Sequence, residues 1–266
     1  MTEKTQNPNN TQNSRDENSI INKMLSREGE KITDYETMIL ETQKRVWAAL
    51  KKGYKYTGIT DESEQFLRKN VFSKLNLMVL YVDLVGSTTM TLELPVEKLA
   101  IIISAFSQEM ATVVRHHGGF VLKFVGDAVI GYFVAEENSL QAADSAVNCA
   151  KSMNDVIKNG INPILNQYDY PDLMAKIGLD YGQSIVLRYG SHPDSSHIDL
   201  IGPAMNIASK IQAMAKPNQI LIGNDVFQRL HPESQKDFKA ITFDANKWRY
   251  RSRHTGEIYK VYEYIG

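Results

Sequence analysis

Apolar and polar residues along this chain fall into blocks whose period switches repeatedly between helix-like and strand-like. The first 30 residues open with MTEKTQNPNNTQNSRDEN, rich in Asn, Gln, Thr and charge. So little apolar surface cannot offset the entropy of ordering, which predicts a disordered tail over residues 1–30. Over residues 34–52, Tyr35, Met38, Ile39, Val46, Trp47 and Leu50 recur at roughly helical spacing behind a candidate N-cap at Thr33 or Asp34. A second short helix is expected over residues 65–75, so residues 31–75 read as a helical extension ahead of a main domain at 76–266. It packs on that domain or serves dimerisation or signal coupling.

The main domain begins with an apolar run over residues 77–82, LMVLYV inside LMVLYVDLVGSTTM, that stops at Asp83, Gly86, Ser87 and Thr88. An unbroken apolar run predicts a strand buried on both faces. A helix is expected over residues 95–117, with Leu99, Ile102, Ile103, Phe106, Met110, Val113 and Val114 on one face and Gly118 and Gly119 ending it. FVLKFVGDAVIGYF then reads as two strands joined at Gly126 and Asp127, a dipeptide suited to a tight hairpin turn. There follow a helix over 139–158, strands at 174–180 and 184–189, a short strand in HIDLIG, a helix over 203–215 and the strand QILIG at 219–223. The order strand, helical segment, strand, strand, helix, strand predicts an α+β sandwich in which helices cover an antiparallel-rich sheet.

Composition narrows the class. Thirty Lys and Arg against thirty-one Asp and Glu leave no global field to recruit nucleic acid or an anionic membrane. The single cysteine, Cys149, excludes an internal disulfide and fits a reducing compartment. With no run of membrane-spanning length and no apolar leader, a cytoplasmic protein with no membrane or nucleic-acid partner is expected. In KWRYRSRH, residues 247–254, basic Lys247, Arg249, Arg251 and Arg253 alternate with Trp248, Tyr250, Ser252 and His254. A solvated edge strand protected by charge explains that pattern more simply than nucleic-acid binding. GSHPDSSH, with His192 and His197, reads as a solvated loop.

Candidate chemistry sits where polar residues interrupt apolar strands. Asp83 ends one buried strand, and Asp127 lies in a hairpin whose flanking strands are apolar. Each alone suits a turn. Together, at the ends of adjacent central strands, they form an oxygen-rich arrangement that holds Mg²⁺ and leaves positions for phosphate oxygens. Lys123 interrupts FVLKFV, so it must snorkel, pair with a carboxylate or face a cleft. Asp199 lies on a short apolar strand, and Asn206 and Lys210 stand four residues apart on one face of the next helix. An exposed polar face gives that spacing as readily as a phosphate clamp does.

VLYVDLVGST, GGFVLKFVGDAVIGYF, KIGLDYG and HIDLIGPAMNIASKIQAMAKPNQILIG, in that order over residues 75–265, resemble the catalytic domain of class III nucleotidyl cyclases, the adenylyl and guanylyl cyclase family. The resemblance implies a ferredoxin-like βααββαβ core working as a homodimer, with two Mg²⁺ or Mn²⁺ ions held by Asp83, Asp127 and the backbone carbonyl of Leu84. It implies base selection by Lys123 and Asp199, a pair like that of adenylyl cyclases, and transition-state contacts from Asn206 and Lys210. Lys210 stands where the family usually has arginine, which keeps the charge but loses the planar fork and implies a slower enzyme. Arg253 falls near the family's triphosphate-gripping lysine. One protomer would supply the metal ligands and the other the base pair, Asn206 and Lys210, so a monomer is expected to be inactive. The implied reaction is ATP to 3′,5′-cyclic AMP and pyrophosphate. Related cyclases make cyclic CMP or cyclic UMP in phage defence, and Tyr81, Ser87 and Thr88 are candidates to narrow a pocket for a pyrimidine, an alternative that Lys123 with Asp199 argues against. A silent nucleotide-binding regulatory domain is the third alternative.

Overall fold

The apolar run at residues 77–82 forms the middle of the sheet. The computed structural model describes residues 34–52, 58–244, 246–253 and 255–266. In chain order its elements are α1 (Tyr35–Lys52), α2 (Asp61–Lys69), β1 (Lys74–Leu84), α3 (Ser87–Glu93), α4 (Val96–His116), β2 (Phe120–Val125), β3 (Ala128–Val134) and α5 (Ser139–Asp155). There follow α6 (Asn162–Leu165), β4 (Ala175–Tyr189), β5 (His197–Ile201), α7 (Pro203–Met214), β6 (Ile220–Gly223), α8 (Asn224–Phe227), α9 (Pro232–Gln235), β7 (Phe238–Ile241) and β8 (Val261–Tyr264).

The sheet runs β2-β3-β1-β4-β6-β8-β7, with β5 paired to β4 off this path. Every pairing is antiparallel except β4 with β6. Its first four strands, read from β4 to β2, carry the antiparallel order of a ferredoxin-like core, and β1, α3, α4, β2, β3, α5, β4 is the expected βααββαβ succession.

Because side chains alternate along β1, its two faces meet different partners. Leu75, Leu77 and Val79 pack with Ile130 and Tyr132 of β3, Ile198 and Leu200 of β5, and Ala204, Met205 and Ala208 of α7. Gly131, opposite Leu80, faces α4: a Cβ on it would come within 3.2 Å of Val114. Both faces are therefore covered, which is why the run is unbroken. α2 lies over the first face, where Phe66 stacks on Phe120 and Ser63 hydrogen-bonds the Tyr132 hydroxyl at 3.0 Å. α1 is tied to α4 through Glu109, which is fully buried and accepts from Arg45 Nη2 at 2.7 Å and Thr42 Oγ1 at 3.1 Å.

Several sequence expectations are corrected. The second helix spans Asp61–Lys69 instead of 65–75, because β1 already begins at Lys74. The two strands expected at 174–180 and 184–189 are one fifteen-residue strand, held straight by pairing with β1 from Lys74↔Ile185 to Leu84↔Ala175. YGQS carries turn-like residues, but the long partner strand overrides them. The helix over 139–158 ends as α-helix at Asp155 and continues as a π-helical turn, Val156–Ile161. No strand forms over 247–253, where only Arg251 makes an isolated bridge, to Ile258. Trp248 is buried there and donates its indole N–H to the Tyr259 carbonyl at 2.8 Å, so it is core and not one side of an edge strand. The predicted tail, Thr33 and His254 lie outside the described residues. Among the described residues no helix is long and apolar enough to cross a membrane.

Candidate active site

Two carboxylates meet where the central strands end. Asp83 is the penultimate residue of β1, opposite Lys176 of β4. Asp127 follows Gly126, whose φ of 62° meets the positive-φ demand of the tight β2–β3 hairpin. Since Val82 pairs with Val129 and Val125 with Ala128, this turn lies beside the last residues of β1. Burial, and after it the charge of Asp127, hold the Asp83 carboxyl above the usual carboxylate range, against a hydrogen bond from Gln212 and the nearby charge of Lys176. Asp127 Oδ2 is buried without a hydrogen-bond partner.

Joint ionisation of two neighbouring carboxylates is unfavourable, and an unpartnered buried acceptor costs about 1–3 kcal/mol. A hard divalent cation relieves both penalties, and all-oxygen donors suit Mg²⁺ or Mn²⁺. The residues present therefore fit such an ion. Among the described residues no three His, Cys, Asp or Glu side chains gather, so the remaining positions fall to backbone, water or substrate oxygens. Leu84 closes β1 beside Ala175 with its side chain buried, which leaves its carbonyl as the backbone candidate.

A second polar cluster lies on β2 and β5. The β2–β3 register shifts between Val121 and Lys123, at the point where the lysine leaves the apolar pattern. Lys123 Nζ lies 2.5 Å from Asp199 Oδ2, so the lysine is answered by a carboxylate instead of snorkelling. Asp199 Oδ1 also accepts from its neighbour Leu200 N at 2.9 Å, and His197 Nε2 stands 4.0 Å from Oδ2. Burial, then the Asp199 charge, push the Tyr81 phenol up. Tyr81 and Asp83, two apart on β1, share a face, which sets this cluster and the carboxylate pair on one side of the sheet.

A cleft of about 480 Å³ opens beside Lys123, walled by Lys123 and Phe124 of β2, His197 of β5, and Ser63, Leu67 and Arg68 of α2. Arg68 donates to the carbonyls of Pro193 at 2.6 Å and Ser196 at 2.9 Å and pairs with Glu64, fastening α2 to the loop before β5. A larger open cleft, about 810 Å³, borders Val85 and Gly86 but carries Glu93, Asp169 and Asp172, a lining unsuited to a triphosphate.

Asn206 and Lys210 are exposed on the outward face of α7. Among the described residues no ion pair or hydrogen bond joins them, or the exposed Arg253, to either cluster. The structure thus brings together Asp83 with Asp127 and Lys123 with Asp199, places Leu84 beside the first pair, and leaves Asn206, Lys210 and Arg253 exposed. Sequence reasoning missed Gln212, Lys176 and Arg68. Gln212 falls two residues beyond Lys210 in a helix read only for its polar face, and Lys176 and Arg68 look like ordinary surface charges.

A sequence model of the adenylate and guanylate cyclase catalytic domain matches residues 71–260. The chain belongs to this family. An Escherichia coli cytidylate cyclase is 26% identical over 154 residues, covering 56% of this chain and 34% of that protein. The chain spans only 26–28% of the length of the mycobacterial relatives it also matches. Its fold is that of the adenylyl cyclase CyaB from Pseudomonas aeruginosa (TM-score 0.61, 20% identity, 73% of this chain and 95% of that one). The guanylyl cyclase Cya2 is equally similar in fold (TM-score 0.61, 19% identity, 74% and 94%).

Proposed function

We propose that the chain converts ATP to 3′,5′-cyclic AMP and pyrophosphate at the interface of a homodimer. The observation that supports an amino-bearing base over guanine in this reading is the 2.5 Å Lys123–Asp199 pair. An ammonium donates to a ring nitrogen and a carboxylate accepts from the neighbouring exocyclic amine, the pattern that adenine presents at N1 and N6. Guanine presents a carbonyl and a ring N–H there, and a buried mismatch leaves polar groups unpaired.

Asp83, Asp127 and the Leu84 carbonyl are the residues that would hold the divalent cations. Bound there, Mg²⁺ or Mn²⁺ supplies Lewis acidity toward the ribose 3′-hydroxyl and the phosphates. Lys123 and Asp199 orient the base. Asn206 steadies the ribose, and Lys210, with Arg253, meets charge developing at the α-phosphate during in-line attack. In the dimer, Asn206 and Lys210 of one protomer serve the carboxylate pair of its partner, which accounts for their outward placement on α7.

Cytosine offers the same face as adenine, an acceptor at N3 beside an amine at N4, so the pair does not separate ATP from CTP. The E. coli relative named a cytidylate cyclase favours this second reading. The deciding experiment incubates the protein with ATP, GTP, CTP and UTP separately, with Mg²⁺ or Mn²⁺, and identifies products by mass spectrometry beside Asp83→Ala. Cyclic AMP, lost in the variant, supports the first reading, and cyclic CMP replaces it with the second. Cyclic GMP or UMP overturns the role given to Lys123 and Asp199. Nucleotide binding without any cyclic product leaves a regulatory domain.

A further inference from the structure

Gln212 connects the helix that carries Asn206 and Lys210 to the carboxylate pair. It lies on the inward side of α7, about 200° around the helix from Lys210 at 100° per residue. The residue is 9% exposed, and Nε2 donates to Asp83 Oδ2 at 3.2 Å. The close approach of the helix is written into β4. A Cβ on Gly178 would lie 2.3 Å from the Gln212 backbone nitrogen and 2.6 Å from its Cα, so only glycine lets this turn of α7 settle against the sheet. Gly178 sets the height of the helix, and Gln212 aims at Asp83 from there.

We propose that Gln212 is a positioning residue for the divalent cation site. Its neutral amide engages Asp83 Oδ2 without adding a third negative charge to a pair that already repels. Asp83 and Asp127, whose Oδ2 is buried without a partner, would then hold the ion. Partners that orient ligating carboxylates typically account for 10–100-fold in metal affinity. The same bond makes the seat of α7 and the occupation of the carboxylate pair depend on each other. Asn206 and Lys210 ride on that helix, so a change at one protomer's metal end reaches the residues it presents to the other site. This inference rests on reading Asp83 and Asp127 as metal ligands.

The test is a Mn²⁺ titration of the full chain without nucleotide, following the free-ion electron paramagnetic resonance signal, with thermal melts in chelator alongside. Gln212→Met keeps the volume and removes the donor; Gln212→Leu serves as a second variant should Met pack poorly. The expected result is Mn²⁺ binding weakened at least 10-fold with a melting temperature within a few degrees of the unsubstituted chain. Unchanged Mn²⁺ affinity in both variants, with binding lost in Asp83→Ala, overturns the role of Gln212 and leaves the metal pair standing. Unchanged affinity in Asp83→Ala overturns the metal reading itself and this inference with it.

Discussion

At the end of β1, Asp83 and Asp127 bring two carboxylates together with one oxygen buried and unpartnered, whereas across β2 and β5 Asp199 meets Lys123 Nζ at 2.5 Å. The sheet holds both clusters on one face, yet one is electrically complete within the chain and the other is not. On the proposed reading the complete pair is a preorganised recognition element that needs no further ion. On the same reading the incomplete pair is a cation site, because its free energy would fall when a cation arrives. Asp180 of β4 answers burial in a third way. It is almost fully buried and accepts from the Tyr259 hydroxyl at 2.6 Å, and burial pushes its carboxyl up to about 8, so near neutrality it largely keeps its proton.

The largest effect should come from deleting one half of the incomplete pair. Asp127→Ala is expected to lower cyclase turnover about 10³-fold, since metal stabilisation of transition-state charge contributes several kcal/mol. In chelator the same variant should melt no lower than the unsubstituted chain, because Asp127 Oδ2 is buried without a hydrogen-bond partner and its charge opposes ionisation of Asp83. Steady-state kinetics and calorimetry check the two halves separately. A large loss of stability in chelator would show that Asp127 supports the fold and not an ion.

The proton held by Asp180 gives the next largest effect. Its folded value lies above the unfolded 3.8, so the folded chain binds more protons than the unfolded one. The stability it confers is complete below about pH 4 and is lost as pH rises through about 8. The charged neighbours of the pair are Asp225, which favours the neutral acid, and Arg229, which opposes it. Asp180→Asn should flatten the decline between pH 5 and 8, a difference on the order of 2–4 kcal/mol in denaturant unfolding. An unchanged slope would place the titrating group elsewhere.

How much of this was legible in the sequence depended on range. The α+β order was readable because each element carries its own period, the ferredoxin-like succession came with the family resemblance, and Asp83 and Asp127 stood out as polar interruptions of apolar strands. Lys123 was visible as an anomaly, but only the family resemblance paired it with Asp199: that residue lies 76 positions away, and only the folding of β5 over the sheet brings them together. Turn-like YGQS and the alternating KWRYRSRH misled for a related reason. A long partner strand keeps β4 straight, and the demand for an apolar plug draws Trp248 inward, and neither partner is local. Gln212 and Arg68 were invisible because one polar helical residue resembles another until the packing decides which points inward.

Removing the charge from the complete pair should cost less than removing a metal ligand. On the proposed reading Lys123→Met would delete one charge-assisted hydrogen bond to the base, worth about 1.5–3 kcal/mol, so kcat/KM for the preferred nucleotide should fall about 10–100-fold. The ratio between amino-bearing bases and GTP should narrow by a similar factor, which separates base recognition from general damage. Equal losses for all four nucleotides would mean that Lys123 acts on the phosphates or the fold.

The smallest effect separates the two clusters most cleanly, because they should respond with opposite signs. Asp83→Asn removes one of two repelling charges and offers an amide N–H to the unpartnered Asp127 oxygen, so in chelator the chain should gain up to about 1 kcal/mol. Asp199→Asn leaves Lys123 facing a neutral amide, and since the lysine side chain is 34% exposed, solvent screening limits the loss to about 1 kcal/mol or less. Urea unfolding in chelator at pH 7 measures both. For a chain of this size each kcal/mol corresponds to roughly 2–4 °C in melting temperature. Shifts of the same sign would mean that the two carboxylates feel similar surroundings, and the distinction between a prepaired recognition element and a site awaiting its cation would fail.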